Sequence, residues 1–239
     1  MKALILNSGM GKRMGVLTNN HPKCMTEIYK GETILSRQLE LLQQCGINEI
    51  IITTGFFDKI LIDYCYSLQI PVQYIFVNNP IYDKTNYIYS IYLAKEYLND
   101  DIVLMHGDLV FELSVLQDVL KQNKSCMAVS TAIPLPSKDF KAVIKDGLIQ
   151  KVGVEFFDNA LAAQPLYKIN KEDWQEWLNY IINYCKNGKL SCYAENAFNE
   201  VSDRCHIYPM DFSNHLCMEI DTPNDLISIK EKLNTFKFN

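Results

Sequence analysis

Between Gly9 and Lys23 the chain reads GMGKRMGVLTNNHPK, with Gly9, Gly11 and Gly15 interleaved with Lys12 and Arg13, and Lys23 directly behind Pro22. Glycines let backbone approach a ligand closely and accept positive φ, and successive N–H groups can cradle phosphate oxygens. Lys12, Arg13 and Lys23 supply the charge such a ligand needs. Much further along, the apolar run DIVLMHGD closes on Gly107-Asp108, and HLCMEID closes on Glu219 and Asp221. A carboxylate at the carboxyl end of a strand, beside a phosphate loop, suits Mg²⁺, which takes a few carboxylates together with substrate oxygens and water. His106 lies two residues before Asp108. The expectation for it is a structural or supporting place.

The loop admits three readings. A dinucleotide turn needs G-x-G-x-x-G opening a helix. Here the third glycine, Gly15, comes one place late, and VLTNNHPKCM follows in place of a helix. A phosphate loop of the G-x-x-x-x-G-K-[ST] type needs a hydroxyl residue after the lysine, and Gly11-Lys12-Arg13 lacks it. A plain surface loop remains open on composition alone, although it gives no reason for an apolar strand to feed the loop directly.

These residues need a frame, and the first half of the chain supplies one. KALIL reads as a buried strand and TILSRQLELLQQCG as a helix stopped by Gly46. EIIITTG, PVQYIFV and DIVLMHGD continue the strands, with DKILIDYCYSL and TNYIYSIYLAKEYL as the helices between them. Buried strands alternating with helices predict an α/β fold, a Rossmann-like, mostly parallel sheet with helices on both faces. After about residue 125 the texture changes. SCMAVSTA adds a strand, FKAVIKDGLIQKVG a hairpin turning at Asp146-Gly147, and KEDWQEWLNYIINYCKNG and YAENAFNEV add helices. Thr222, Pro223 and Asp225 mark the start of a last helix. A small antiparallel and helical subregion over the sheet edge is expected.

Composition excludes some classes. The 239 residues are 48% hydrophobic and 21% charged, ordinary for a globular chain, and the net charge of −5 is the wrong sign for a general nucleic-acid binder. The eight cysteines contain no C-x-x-C pair and read as reduced core thiols. The first apolar run is too short for a secretory segment and no run approaches a membrane span, so no membrane association and a cytoplasmic location are expected.

The stretch from Asn7 to Lys23 resembles the signature loop of the nucleotidyltransferases that activate sugar phosphates and related small phosphates. Gly9, Gly11, Arg13, Pro22 and Lys23 match that signature one for one, with Thr18 between them. Asn7 and Ser8 stand where the family usually has two alanines, and Met14-Gly15-Val16 departs from its common Leu-x-Pro. The resemblance implies that the loop wraps a nucleoside triphosphate, with Leu6, Asn7, Ser8, Gly9, Gly11 and Lys12 binding the nucleotide. Arg13 and Lys23 are implied as the catalytic cations, Lys23 on the α-phosphate. NNPIYDKTNYIYSIYLAKEYL, residues 78–98, resembles the matching segment of bacterial choline-phosphate cytidylyltransferases and related phosphate and phosphonate cytidylyltransferases. Asn86 and Ser90 are thereby implied near the base and ribose, with Asn79 also among the nucleotide-binding residues. The Gly-Thr-Ala pattern of uridylyl- and thymidylyltransferases is absent.

The same resemblance implies Asp108 and Asp221 as the Mg²⁺ pair, and Glu195 and Asn196 at the acceptor. Tyr87, as an aromatic face, and Glu219, which alternates with Asp221 on one strand face, are further candidates for holding a cationic acceptor. Trp174 and Trp177, three residues apart, read better as one packed helix face than as an aromatic cage. The implied organisation is one domain over 1–239. Residues 1–125 form its nucleotide part, 126–215 its acceptor part, and 216–239 its metal-bearing strand and final helix. The implied reaction is attack of a small phosphorylated acceptor on CTP with release of pyrophosphate, by a monomer or homodimer with no nucleic-acid partner. A sugar-1-phosphate nucleotidyltransferase using UTP, dTTP or GTP, and a non-catalytic nucleotide-binding subunit on the same fold, stand as alternatives. A glycosyltransferase fits less well, because GDLVF offers no Asp-x-Asp pair.

Overall fold

Along the first strand the side chains of Ala3, Leu4, Ile5 and Leu6 are all buried, which is what a strand covered on both faces requires. The computed structural model describes residues 1–213 and 215–236. Its first half runs β1 (Lys2–Leu6), β2 (Glu27–Tyr29), β3 (Glu32–Thr33), α1 (Ile34–Gln44), β4 (Glu49–Thr54), α2 (Asp58–Ser67), β5 (Gln73–Asn78), α3 (Tyr87–Ala94), β6 (Ile102–His106), β7 (Leu109–Phe111) and α4 (Leu113–Lys121). The second half runs β8 (Cys126–Ser130), β9 (Lys141–Lys145), β10 (Leu148–Gly153), β11 (Ala160–Ile169), α5 (Lys171–Lys186), α6 (Ala194–Phe198), β12 (Tyr208–Asp211), β13 (Cys217–Glu219) and α7 (Pro223–Phe236).

β6, β1, β4 and β5 lie side by side and parallel, so the loops after β1 and β6 emerge at the same sheet end. Alternation sorts the two faces. Leu4, Ile51 and Leu104 face a core with α3 and α5, while Ala3, Ile5, Ile50, Ile52 and Met105 face one with α1, α2 and α4. Local signals agree with this packing. Thr33 caps α1, its Oγ accepting from the Ser36 N–H at 3.0 Å while Ser36 Oγ accepts from Thr33 N–H at 2.9 Å. Gly46 follows the helix with φ of 79°.

The second half adds the expected antiparallel and helical part, and it does so by continuing the same sheet beyond β6. β11 pairs antiparallel with β6, β8 and β9, and the order becomes β10-β9-β11-β6-β1-β4-β5. Its sequence, ALAAQPLYKI, hides this strand because Gln164 and Pro165 interrupt the apolar run. Both lie inside an irregularity of the β8 pairing between Ala163 and Tyr167, where a proline costs no ladder bond. The β9–β10 hairpin does turn at Asp146-Gly147, with φ of 53° and 77°, the left-handed pair that a two-residue turn needs.

A third, smaller core carries the end of the chain. Leu226, Ile229 and Leu233 of α7 pack with Met14, Ile28, Val110 and Ile220, fastening β13 and the residues after it to the loop that follows β1. Among the described residues no helix is long and apolar enough to cross a membrane.

Candidate active site

The loop after β1 turns twice through left-handed glycines, Gly11 at φ of 62° and Gly15 at 58°. A side chain at Gly11 would put its Cβ 3.0 Å from Lys23 Cβ, so that glycine is what lets the loop fold back onto Lys23. Thr18 Oγ donates to the Gly11 carbonyl at 3.1 Å and pins the turn. Pro22 then holds extended backbone and Lys23 opens a short 3₁₀ turn. Two more glycines clear the floor. A Cβ on Gly107 would fall 1.6 Å from Asn7 Oδ1, and one on Gly55 would fall 2.4 Å from the Ser8 carbonyl oxygen.

The result brings residues from distant parts of the chain onto one ammonium. Lys23 Nζ forms an ion pair with Asp108 and lies 3.0 Å from Asp221 Oδ1, and Arg13 Nη2 reaches the same Asp221 oxygen at 2.8 Å. Burial alone would lower the Lys23 pKa, but the two carboxylates outweigh it and hold it above its ordinary value. Asp108 mirrors this. Burial would raise it, yet Lys23 and His106 keep it below the usual carboxylate range. Asp221 is positioned by Asp225, whose Oδ2 accepts from the Asp221 N–H at 3.0 Å and from the Thr222 N–H at 2.7 Å.

Two cavities of about 370 Å³ each meet at this cluster and share Leu6, Gly9, Arg13, Asp108 and Asp221. Asn7, Gly11, Lys12 and Lys23 line the loop-side cavity. Ser8, Asn86, Tyr87 and Glu219 line the other, which is walled by aromatic rings: Tyr87 lies 4.7 Å from His106 and 5.9 Å from Tyr193, and Phe140 lies 5.2 Å from Tyr193.

Of the other residues implied at the site, Asn79, Ser90 and Glu195 lie behind these walls. Ser90 is wholly buried, its Oγ 2.7 Å from Ser8 Oγ and accepting from Asn79 Nδ2 at 3.0 Å. Asn79 also donates to Thr85 and accepts from the Ile81 N–H, so its amide braces the loop before α3. Asn86 borders the cavity and caps α3, accepting from the Tyr87 N–H at 2.7 Å. Glu195 is buried behind Tyr87, and Asn196 accepts from the Tyr193 N–H at 3.0 Å at the start of α6. Trp174 and Trp177 are fully buried and donate to the Leu98 and Ala194 carbonyls, as one packed helix face should.

His106 and Phe140 also line the aromatic-walled cavity, and Phe140 was not singled out in the sequence. His106 sits in the cavity wall with Nδ1 2.9 Å from Glu219 Oε1. Burial would lower its pKa, but Glu219 raises it above the ordinary value, while burial and the Asp108 charge push Glu219 up to about 7. The available signal was strand period: His106 and Asp108 are two residues apart at one strand end, as are Glu219 and Asp221. Phe140 carried no such pattern.

Among the described residues, the group placed to hold a divalent cation is His106, Asp108 and Glu219, which includes Asp108 of the expected pair but not Asp221. Asp108 Oδ1 is buried without a hydrogen-bond partner, and donor atoms of His106, Asp108 and Glu219 lie within 4.8 Å of one another. An orphaned carboxylate oxygen in a carboxylate-rich corner matches the oxygen preference of Mg²⁺.

Comparison with known proteins agrees with this fold. The model of the MobA-like NTP transferase domain matches residues 3–145. A CTP:phosphoglutamine cytidylyltransferase of Campylobacter jejuni is 30% identical over 154 residues, a match that covers 61% of this chain and only 59% of that protein. The choline-phosphate cytidylyltransferase of Streptococcus pneumoniae is 25% identical over 98% of both chains. The solved structure of a CTP:phosphocholine cytidylyltransferase from Streptococcus pneumoniae superposes with a TM-score of 0.77 at 21% identity, covering 97% of this chain and 98% of the other, which speaks to the fold.

Proposed function

We propose, for a chain that belongs to the MobA-like NTP transferase family, that it is a cytidylyltransferase: it joins the CMP portion of CTP to a small phosphorylated acceptor bearing an amino or quaternary ammonium group and releases pyrophosphate. The observation that carries this reading is Lys23, held by Asp108 and Asp221 where two cavities meet. A glycine-rich basic wall lies on one side of it, and an aromatic and carboxylate wall on the other.

In this reading the loop-side cavity takes the triphosphate. Backbone N–H groups around Gly9 and Gly11 and the cations Lys12 and Arg13 receive phosphate oxygens, and Lys23 meets the α-phosphate as charge builds there. The acceptor oxygen needs no general base, since a phosphate monoester has its second ionisation near pKa ~6 and is largely dianionic at neutral pH. The protein's work is therefore alignment and charge stabilisation. Asp108 and Asp221 would hold Mg²⁺, which when bound neutralises phosphate charge and orients the reacting oxygens. Tyr87, Phe140 and Tyr193 offer ring faces and edges to a cationic head group, with Glu219 as counter-charge. Residues 1–125 would serve the nucleotide, 126–215 the acceptor and 216–239 the metal, within one domain.

The deciding experiment measures pyrophosphate release with Mg²⁺, crossing CTP, UTP, dTTP, ATP and GTP with phosphocholine, phosphoethanolamine, 2-aminoethylphosphonate, phosphoglutamine and two sugar 1-phosphates. Release with CTP and an amino-bearing acceptor is the expected result. Release with a sugar 1-phosphate and another nucleotide would overturn the acceptor assignment, and an absence of nucleotide binding would overturn the whole reading.

A further inference from the structure

Glu195 is a buried carboxylate beside the acceptor cavity that does not line it. It is 1% exposed, and both its oxygens are taken by phenols: Oε1 accepts from Tyr167 at 2.9 Å and Oε2 accepts from Tyr87. The two tyrosines differ in where they lead. Tyr167 is itself 1% exposed and packs on Trp177 at 5.6 Å, deep in the core. Tyr87 presents its ring to the cavity, against His106 and Tyr193. Placing a carboxylate in such a position is costly unless its oxygens are satisfied, and here the satisfying groups are one core phenol and one cavity wall.

We propose that Glu195 is a positioning residue that sets acceptor selectivity through Tyr87. By accepting the phenol's proton in a hydrogen bond, it fixes the angle of the ring that forms the cavity wall. It also draws the hydroxyl toward an anion, leaving the ring richer in electrons and more attractive to an ammonium group. The buried charge lies behind the ring, where salt screens it little, so its field adds to that attraction. A neutral head group of the same shape feels neither effect. This rests on the reading that the Tyr87 cavity takes a cationic acceptor, and it goes further by assigning discrimination to a residue that does not touch that acceptor.

The test compares phosphocholine with 3,3-dimethylbutyl phosphate, in which carbon replaces the ammonium nitrogen. The readout is the ratio of kcat/KM for the two acceptors, with CTP and Mg²⁺ fixed. Glu195→Gln keeps the shape and removes the charge, and should cut the wild-type ratio about tenfold, chiefly through the KM for phosphocholine. Tyr167→Phe disturbs the same carboxylate from its core side and should leave the ratio within about twofold. Thermal melts of both variants establish that each is folded. An unchanged ratio in Glu195→Gln overturns the proposal, as does an equal fall in both variants, which would mean a merely structural role. A wild type that shows no preference for cationic over neutral head groups, across this pair and the amino-bearing acceptors of the pyrophosphate panel, overturns the cationic-acceptor reading itself, and the proposal with it.

Discussion

The Lys23 ammonium lies 3.0 Å from Asp221 Oδ1 and is ion-paired at the same time with Asp108, so one internal cation stands between two carboxylates proposed to hold a divalent one. Two cations cannot share that corner without repulsion. In the proposed reaction a nucleotide would relieve the conflict by drawing the lysine onto phosphate. Metal alone should therefore bind the wild-type protein weakly. Lys23→Ala should bind Mn²⁺ severalfold more tightly than wild type when no nucleotide is present, as read by paramagnetic resonance of free Mn²⁺. Equal affinities would show that lysine and metal do not compete.

The same substitution should act oppositely on turnover. If Lys23 has its proposed role, its loss leaves no ammonium to meet the charge that develops at the α-phosphate. Pyrophosphate release at saturating CTP should fall about 100- to 1000-fold, the scale seen when a single preorganised donor is lost. A kcat within a few fold of wild type would remove Lys23 from the reacting centre.

Gly55 offers a test of the floor of the site. A Cβ there would stand 2.4 Å from the Ser8 carbonyl oxygen and 3.2 Å from Tyr82 Cβ. The closer obstacle is backbone, which cannot swing aside as a side-chain tip would. Gly55→Ala should therefore cost about 1–3 kcal/mol of stability and push Ser8-Gly9 toward the nucleotide. Denaturant unfolding and CTP titration check it together: both should weaken, and a variant with native stability and native CTP affinity would contradict the close packing.

The parallel half of the fold was legible because strands buried on both faces write themselves as apolar runs, as in KALIL and EIIITTG, and because Thr33 and Gly46 mark helix ends. The loop from Gly9 to Lys23 was legible for a different reason: its glycines and cations have types and spacing that few backbones need. β11 was not, since Gln164 and Pro165 break its run and only the pairing irregularity between Ala163 and Tyr167 accommodates them. The aromatic wall proposed for the acceptor was the least legible part. His106, Phe140 and Tyr193 come from separate elements, and tertiary packing alone brings their rings to within 5.2–6.2 Å of a neighbour in the set. Glu195 shows the limit most clearly. An acidic residue on a short late helix suggests an acceptor contact, whereas its two phenol partners, 28 and 108 positions away in the chain, turn it inward.

Stability should carry the signature of the His106–Glu219 pair, whose atoms approach to 2.9 Å. Burial and the Asp108 charge push Glu219 from an ordinary 4.5 up to about 7. His106 is raised above its ordinary 6.5 because Glu219 outweighs its burial. For both groups the folded protein holds a proton more firmly than the unfolded chain does. The native state therefore binds more protons across the window from about pH 4.5 to just above neutrality, and stability must fall as pH rises through it. The Lys23–Asp108 pairing does not blur this, since each holds the other in its charged form, Asp108 lowered and Lys23 raised from their ordinary values. Glu219→Gln removes the titrating carboxyl and the anion that holds the His106 proton. In metal-free buffer, the melting temperature of wild type should therefore decline relative to that of Glu219→Gln between pH 5 and 8. Parallel profiles for the two proteins would mean that the pair shares no proton in the folded state.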